Sequence, residues 1–251
     1  MPTTRYPITI DGETTDIGTA AELVVALDVL QGQHDRLVLE QLRPHLPEIV
    51  TGPQGLYAVL KVLAPDDQVY LFDALGPALP HIVSKATALR DVLATLAEER
   101  VEVGLLETLG SGGLRSLIVS AEQLAEVLEW VYGQCDRLLL DLLGTDSIRR
   151  LCQGGYELSL VLHGLDAERQ RELLDALGWE TVLAVVRDRR DLACLVRALP
   201  ADLTRRLLSR LTKARLRGLV RDEGDWRYLY PYLETAEAEY LAGRLGVSSH
   251  A

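Results

Sequence analysis

The chain has 251 residues, of which 48% are hydrophobic and 25% are charged, and its formal net charge is −11. This composition is ordinary for a folded globular protein and excludes an intrinsically disordered chain. The negative net charge argues against a general affinity for nucleic acid or anionic membranes, but an average can conceal a local basic patch.

The N-terminal segment predicts a β-hairpin. Tyr6, Ile8 and Ile10 alternate with other residues ahead of the dipeptide Asp11-Gly12, which is typical of tight hairpin turns. We therefore predict a small cap over residues 1–18. A helix should follow within residues 19–32, beginning with a capping box formed by Thr19 and Glu22.

A leucine recurs at a constant interval through the rest of the chain. The anchor leucines, each 34 residues after the last, are Leu75, Leu109, Leu143, Leu177, Leu211 and Leu245. Leu42 lies 33 residues before Leu75. Glycine follows most of these leucines, whereas Arg43 and Thr212 stand in its place in two repeats. Periods of about 34 residues indicate repeat architectures, in which each unit buries its apolar face against its neighbours.

Three apolar groups within each period predict three short helices, which we name A, B and C. Helix A ends at the anchor leucine, helix B follows the glycine, and helix C follows a polar or glycine-rich break. We expect the glycine to supply the left-handed residue that ends helix A. The alternative is two helices per repeat, with B and C fused or A and B fused.

The predicted fold is all-α: a right-handed α-solenoid of about six 34-residue repeats of short helices, with a small N-terminal β-hairpin as its cap. We predict one helical-repeat domain over residues 1–251. Its parts are the cap at 1–18, a half-repeat at 19–32, six repeats at 34–235 and a closing helix at 236–246.

The three-helix repeat over residues 20–246 resembles the armadillo and HEAT-like solenoids in a generic way. Its period is also similar to that of tetratricopeptide repeats and of the DNA-reading repeats of plant-pathogen effectors. The small and aromatic residues of the former are missing here, and so is the near-identity between repeats of the latter. The resemblance implies a solenoid and no specific family.

No residue pattern predicts an enzyme, a cofactor site or a metal site. The glycine-rich stretches "LGSGG" and "GGY" fall at predicted turns between helices and are not followed by the residues of a phosphate loop. Cys135, Cys152 and Cys194 fit neither a disulfide framework nor a metal knuckle, and the five histidines are scattered. The unpaired cysteines and the absence of a signal-peptide pattern lead us to expect a cytoplasmic location.

One basic block stands out in this acidic chain. Residues 187–221 contain eleven Arg or Lys residues against three Asp residues, a local sum of +8. The candidate partner-binding cations within it are Arg187, Arg189, Arg190, Arg205, Arg206, Arg210, Lys213 and Arg217. The alternative is a solvated face that is neutralised by acidic neighbouring repeats or by a second copy of the chain.

Aromatic residues outside the leucine pattern are further candidates for binding. Tyr228 and Tyr232 lie beside Arg227, while Trp226 and Tyr230 occupy core positions of the repeat. Trp179 also falls outside the main apolar stripe, and exposed tryptophans are common anchors of interfaces.

We therefore expect a non-enzymatic scaffold or adaptor that binds a protein or peptide partner on the solenoid surface. The alternative function is nucleic-acid binding through the basic repeats at 187–221, which would show a steep dependence on salt. A third possibility is an enzyme with an unrecognised site, which would need a deep pocket with convergent polar groups. Homo-oligomers fit the unlike charges of the two ends, and no membrane partner is expected.

Overall fold

A computed structural model describes residues 4–30 and 32–246 of the chain. The protein is mostly helical, with one two-stranded antiparallel hairpin at the N-terminus. The first three residues of the predicted cap and the tail at 247–251, including His250, lie outside the described residues.

The elements follow one another closely along the chain. The strands and the first eight helices are β1 (Tyr6–Ile10), β2 (Glu13–Ile17), α1 (Ala20–Leu30), α2 (Asp35–Leu42), α3 (Leu46–Ile49), α4 (Pro53–Leu60), α5 (Pro65–Leu75), α6 (Leu79–Val83), α7 (Ala86–Leu93) and α8 (Glu99–Leu117). The remaining helices are α9 (Ala121–Leu128), α10 (Cys135–Leu143), α11 (Thr145–Leu151), α12 (Gly155–His163), α13 (Ala167–Leu177), α14 (Trp179–Val185), α15 (Arg189–Ala198), α16 (Ala201–Arg210), α17 (Lys213–Leu219), α18 (Glu223–Leu229) and α19 (Thr235–Leu245). Short 3₁₀ turns occupy Arg43–His45, Gly76–Ala78 and Tyr230–Tyr232.

The N-terminal hairpin forms as the sequence predicts. Tyr6 pairs with Ile17 and Ile10 pairs with Glu13 across the two strands. Asp11 and Gly12 both have positive φ, 51° and 85°, which is the conformation that a two-residue type I′ turn requires. The side-chain amide of Gln41 donates to the carbonyl of Thr9 (3.0 Å) and accepts from its N–H (2.9 Å), so β1 is fastened to α2.

The capping box that precedes α1 forms in a modified way. The Thr19 hydroxyl accepts from the N–H of Glu22 at 3.2 Å, as predicted. The Glu22 carboxylate, however, accepts from the N–H of Gly18 at 2.8 Å. The carboxylate therefore satisfies the N–H group one residue before the cap.

Three helices, rather than two, separate most pairs of successive anchor leucines. Between Leu143 and Leu177, for example, lie α11, α12 and α13, which correspond to helices B, C and A. The exception is α8, which covers one A and one B helix without interruption in its hydrogen bonding but contains non-helical backbone at Gly110 (φ 59°, ψ 178°). All seven anchor leucines are buried, and Leu245 is the most exposed of them at 8%.

The chain divides into two compact units. Unit 1 contains residues 1–119 and 129–143, and unit 2 contains residues 120–128 and 144–251. Within unit 1 the C helices pack in chain order, α1 on α4 and α4 on α7, and so do the A helices α2, α5, α8 and α10. Within unit 2 the same holds for α9, α12, α15 and α18. Successive helices of one class therefore supply the partner that each apolar stripe needs.

The glycines after the anchor leucines have positive φ, as expected, but four of five are not in the left-handed helical region. Gly178 (φ 81°, ψ 134°) and Gly144 (φ 75°, ψ 150°) are typical, and only Gly246 (φ 79°, ψ 34°) is left-handed helical. Helix B follows directly after each of the first four glycines, so the glycine forms a tight turn between two helices instead of ending a helix before a loop. This extended conformation with positive φ is essentially restricted to glycine.

Candidate functional site

The predicted partner-binding residues fall into two groups with different contacts. Arg205, Arg206 and Arg210 lie on α16 and surround Trp179 and Tyr240. Arg187, Arg189 and Arg190 lie at the start of α15, and their contacts involve other residues. The structure therefore does not join all the predicted cations into one cluster by direct contact.

Two arginines of α16 lie over the indole of Trp179. The guanidinium carbons of Arg206 and Arg210 are 4.8 Å and 5.3 Å from the ring centroid, distances at which a cation attracts the face of the ring. Their i, i+4 spacing places both on the same face of the helix. Trp179 itself is only 8% exposed, so it supports the arginines and does not form the exposed anchor that its sequence position suggested.

A second ring continues this surface toward the C-terminus. The guanidinium carbons of Arg205 and Arg244 lie 5.9 Å and 5.8 Å from the centroid of Tyr240. Arg244 also donates to the carbonyl oxygen of Leu208 at 2.6 Å, at the end of α16. We name Arg205, Arg206, Arg210 and Arg244 the arginine cluster.

One carboxylate accompanies the arginine cluster. Asp175 accepts from the Trp179 indole N–H at 3.0 Å and pairs with Arg206 at 3.0 Å. The hydrogen bond from Trp179, followed by that from Arg206, holds the pKa of Asp175 below its ordinary value. Asp175 is therefore ionised at neutral pH and offsets one positive charge.

Two other arginines of the cluster are not neutralised by an ion pair with a described residue. Within the described residues, neither Arg205 nor Arg210 has a carboxylate within ion-pair distance, and both are exposed. Lys213 and Arg217 on α17 are likewise exposed and have no ion pair in that part of the chain. This region of unit 2 consequently presents a net positive surface.

The arginines at the start of α15 are largely engaged in holding the chain. Arg187 donates to the carbonyl oxygen of Gln153 at 2.6 Å, and Arg189 forms an ion pair with the buried Asp225. The hydrogen bond from the N–H of Arg221, followed by that from Arg189, keeps the pKa of Asp225 low. The backbone N–H of Arg190 donates to the capping Asp188 at 2.7 Å, but its guanidinium is exposed and has no ion pair among the described residues. The structural explanation therefore covers the side chains of Arg187 and Arg189 and not that of Arg190.

Tyr228 and Tyr232 are exposed, as the sequence predicts. Their rings meet edge to face at 6.3 Å, and Arg189 lies 5.4 Å from the ring centroid of Tyr228. Trp226 is buried, in agreement with its predicted core position, and Tyr230 is half-buried beside it at 5.7 Å. By direct contact these two tyrosines are separate from the arginine cluster, since the described cations near their rings include Arg189 and none of the cluster arginines.

The sequence did not reveal three members of the arginine cluster region. Arg244, Tyr240 and Asp175 lie on two A helices other than α16, and none of them is unusual in composition or spacing. A signal existed in the repeat register, because Arg206 and Tyr240 both precede their anchor leucines by five residues, and Asp175 precedes its anchor by two, about one helical turn away on the same face. That register would have aligned the arginines with the rings that support them.

The cysteines and the glycine-rich stretches have structural explanations. Burial raises the pKa of the Cys135 and Cys152 thiols to about 12, so both are unreactive at neutral pH. The N–H of Gly155 donates to Asp191 at 2.9 Å, and a side chain at Gly155 would collide with that residue. Among the described residues, His, Cys, Asp and Glu form no group of three or more that could hold a metal ion.

No family model, curated protein or solved structure matches this chain. In the part of the chain that the structure describes, no helix combines the length and the apolar character needed to cross a membrane. Function therefore has to be inferred from the contacts of this chain itself.

Proposed function

We propose that this protein is a non-enzymatic adaptor that binds an acidic segment of a protein partner through the arginine cluster of unit 2. The observation that carries the proposal is the state of Arg205 and Arg210. Both are exposed, both lie over an aromatic ring, and neither has a carboxylate partner among the described residues. Cations that are ordered but not neutralised are suited to receive an anion.

The aromatic rings support this proposal by restricting the arginines before binding. A free arginine side chain loses about 2 kcal/mol of rotamer entropy when it is fixed. Contact with the rings of Trp179 and Tyr240 restricts these arginines before a partner binds, so less rotamer entropy is lost on binding. The planar donors then match the two oxygens of a carboxylate, which is why arginine is favoured over lysine at such interfaces.

The distribution of charge favours an acidic peptide over nucleic acid. Asp175 pairs with Arg206, and Asp202 pairs with Arg171 at 2.7 Å, so carboxylates lie between the cations. A long phosphate backbone would meet these carboxylates, whereas a short acidic segment can fit between them. The indole of Trp179 is also covered and offers no face for stacking a base.

A non-enzymatic role fits the chemistry of the cluster. The guanidinium groups of the cluster are accompanied by aromatic rings and by Asp175, whose lowered pKa makes it a weak general base at neutral pH. Catalysis by acids and bases needs groups that titrate near the working pH, and the cluster supplies binding groups instead.

We further propose that the repeats continue as a right-handed α-solenoid of about six units in a cytoplasmic protein. The order of packing among the A and C helices of unit 1 and among the C helices of unit 2 supports the solenoid. The free cysteines support a reducing compartment. Small-angle scattering tests the arrangement: a solenoid requires a radius of gyration above the value of about 18 Å that a compact protein of this length would have.

Binding of two probes to the full chain tests the function. The first probe is a fluorescent peptide rich in Asp and Glu, and the second is a single-stranded DNA oligonucleotide. We expect the peptide to bind, and the double variant Arg205→Glu/Arg210→Glu to weaken its binding at least about tenfold. The matched control is Arg197→Glu, which reverses an exposed charge of the same basic block on α15 and should change peptide affinity less than about twofold.

Three results would contradict the proposal. Equal peptide affinity for the double variant and the wild type would leave the cluster as a solvated surface. Tight DNA binding that falls steeply with salt and is lost in the double variant would establish the nucleic-acid alternative. A tagged pull-down with and without nuclease, in which all bound proteins depend on nucleic acid, would lead to the same conclusion.

A further inference from the structure

We infer that unit 1 contains a second docking site, a groove between the N-terminal hairpin and α1 that receives a cationic amphipathic helix of a partner protein. We name it the cap groove; its volume is about 760 Å³. This site goes beyond the function proposed above because it lies in unit 1 and binds a cationic segment, whereas the arginine cluster lies in unit 2 and binds an acidic segment.

The floor and one wall of the cap groove are apolar. Ile10 and Ile17 of the hairpin face Val25 and Val29 of α1 across it. Val25 is 64% exposed and Val29 is 75% exposed. The two residues are one helical turn apart, so their side chains form a continuous stripe on one face of α1. Together with the hairpin isoleucines, these two valines form an apolar surface that a partner could cover.

The repeat register explains why this face of α1 has no cover. Helix α1 is the first C helix of the described residues, and α4 packs on it so closely that a Cβ atom at Gly55 would lie 3.0 Å from the Cβ of Ala20. No earlier C helix exists among the described residues to pack on its opposite side. The groove therefore lies where a preceding helix would stand.

Unit 2 shows which face of a C helix meets its predecessor. Val29 and Gly164 occupy the same position of the repeat, because Val29 precedes the anchor Leu42 by the same interval as Gly164 precedes the anchor Leu177. A Cβ atom at Gly164, at the end of α12, would lie 3.1 Å from the Cβ of Leu128 in the preceding C helix α9. The position of Val29 therefore contacts the preceding C helix at the end of α12, whereas after α18 the same position holds the exposed Tyr232. On the example of α12 we take a helix as the occupant.

The rim of the groove determines the charge of that helix. All four charged residues that line the groove are acidic: Asp11, Glu13, Asp16 and Glu22. Glu22 is neutralised by Arg5 at 2.6 Å, and Asp11 lies 3.6 Å from His34. Glu13 and Asp16 are exposed and have no ion pair in the described part of the chain. Lysine or arginine residues beside an apolar stripe would complement this rim.

A second copy of the chain does not meet both requirements. Its basic block at 187–221 supplies positive charge, but the leucines of that block are buried in their own unit. None of the exposed large hydrophobic side chains of the described residues lies between 187 and 221. An anionic membrane would be repelled by the acidic rim. A partner protein with an amphipathic cationic helix satisfies both conditions.

Three synthetic peptides of roughly 14 residues test the inference on the full chain, a length that spans about 21 Å as a helix. The first has a leucine stripe flanked by lysines, the second has glutamates in place of the lysines, and the third has the first composition in scrambled order. We expect only the first to bind, with NMR shifts concentrated at Ile10, Val25 and Val29. The variant Val25→Glu should weaken its affinity at least about tenfold.

Two variants complete the design. Val119→Glu makes the same change at a valine of unit 1 that is 65% exposed, and it should leave the affinity unchanged. The double variant Glu13→Lys/Asp16→Lys should reverse the preference, so that the peptide with glutamates binds better. Both substitutions lie on exposed residues, and a thermal melt verifies that the fold is retained.

The inference would be overturned if the lysine peptide failed to bind, or if Val25→Glu and Val119→Glu affected binding equally. It would also be overturned if the chain alone formed a dimer that Val25→Glu dissociates, because the occupant would then be a second copy. Arg205→Glu/Arg210→Glu should leave binding of the lysine peptide unchanged, which separates this site from the arginine cluster.

Discussion

Arg206 lies over Trp179 and, with Asp175, closes a triangle that joins the A helices α13 and α16 to the B helix α14. The guanidinium carbon is 4.8 Å from the indole centroid, the indole N–H donates to Asp175 at 3.0 Å, and Asp175 pairs with Arg206 at 3.0 Å. Each of the three side chains fixes the other two. The triangle thus keeps the supporting ring buried while the neighbouring Arg210 keeps its charge.

The triangle predicts that the pKa of Asp175 depends on Trp179. Replacing Trp179→Phe removes the indole N–H and should raise the pKa of Asp175 toward its ordinary value, since that hydrogen bond is the largest cause of the lowering. Carboxyl NMR titration of the full chain measures this. Arg206→Gln should raise the pKa by less.

The sign of the resulting pH dependence follows from the lowered pKa. The folded state binds fewer protons at Asp175 than the unfolded state does, so the contribution of Asp175 to stability is present above the unfolded pKa. It is lost as the pH falls through the folded pKa. An unchanged titration in Trp179→Phe would contradict the assigned hydrogen bond.

The glycine turn predicts a conformational penalty at position 178. Gly178 has φ 81° and ψ 134°, and nothing lies within 4 Å of a Cβ atom placed there. Gly178→Ala should therefore reduce the free energy of unfolding by about 1–3 kcal/mol through backbone strain alone. Urea denaturation measures the change.

Gly218 provides the matched control for that substitution. It lies within α17 without positive φ, and a Cβ atom there also meets nothing within 4 Å. Gly218→Ala should be neutral or should raise the free energy of unfolding by about 0.5–1 kcal/mol. Equal effects of the two substitutions would refute the strain argument.

Asp35 predicts a stabilising substitution. It is 1% exposed, and neither of its carboxylate oxygens has a hydrogen-bond partner among the described residues. Burial, followed by repulsion from Asp67, raises its pKa. Gln68 occupies the equivalent position one repeat later and donates to the carbonyls of Leu60 (2.8 Å) and Leu63 (3.2 Å). In that repeat an amide therefore satisfies backbone carbonyls, whereas Asp35 places a carboxylate at the equivalent buried position.

Asp35→Asn should accordingly raise the free energy of unfolding at pH 7 by about 1–3 kcal/mol, the cost of an unsatisfied buried group. Removing a negative charge from the first turn of α2 costs about 0.3–1 kcal/mol, which is smaller. Because the native pKa is raised, wild-type stability falls as the pH rises from the unfolded to the folded pKa. The gain should vanish below about pH 4, where both states are protonated.

The control for this prediction is Asp28→Asn, on the exposed side of α1. Its effect on the free energy of unfolding should stay within about 0.5 kcal/mol at every pH. A loss of stability for Asp35→Asn at pH 7 would contradict the prediction, because it would show that the carboxylate has a stabilising interaction in the folded state.

The anchor leucines predict a severe destabilisation. Leu177 is 2% exposed, so Leu177→Asp would bury an unpaired charge among leucines. We expect a loss of more than about 4 kcal/mol and a marked fall in melting temperature, and Leu143→Asp should behave similarly. Ala176→Asp adds the same charge one residue earlier at an exposed position and should change little. Equal melting temperatures for Leu177→Asp and the wild type would overturn the register.

Much of the local structure follows from the sequence because its causes are local. The positions of helices A, B and C follow from apolar spacing, and the hairpin turn follows from the Asp11-Gly12 dipeptide. Burial of Leu75 and the other anchors follows from their register. The detailed role of the glycines was less predictable, since it depends on helix B beginning immediately after helix A.

The sites depended on relations that no single segment contains. The sequence by itself determined where cations and leucines stand in each repeat, because helical periodicity acts over a few residues. Only the tertiary structure decided that Trp179 is buried beneath arginines and that Val25 and Val29 are left uncovered. The physical reason is that burial and ion pairing are properties of neighbours in space, and the neighbours here are about one repeat apart in the chain.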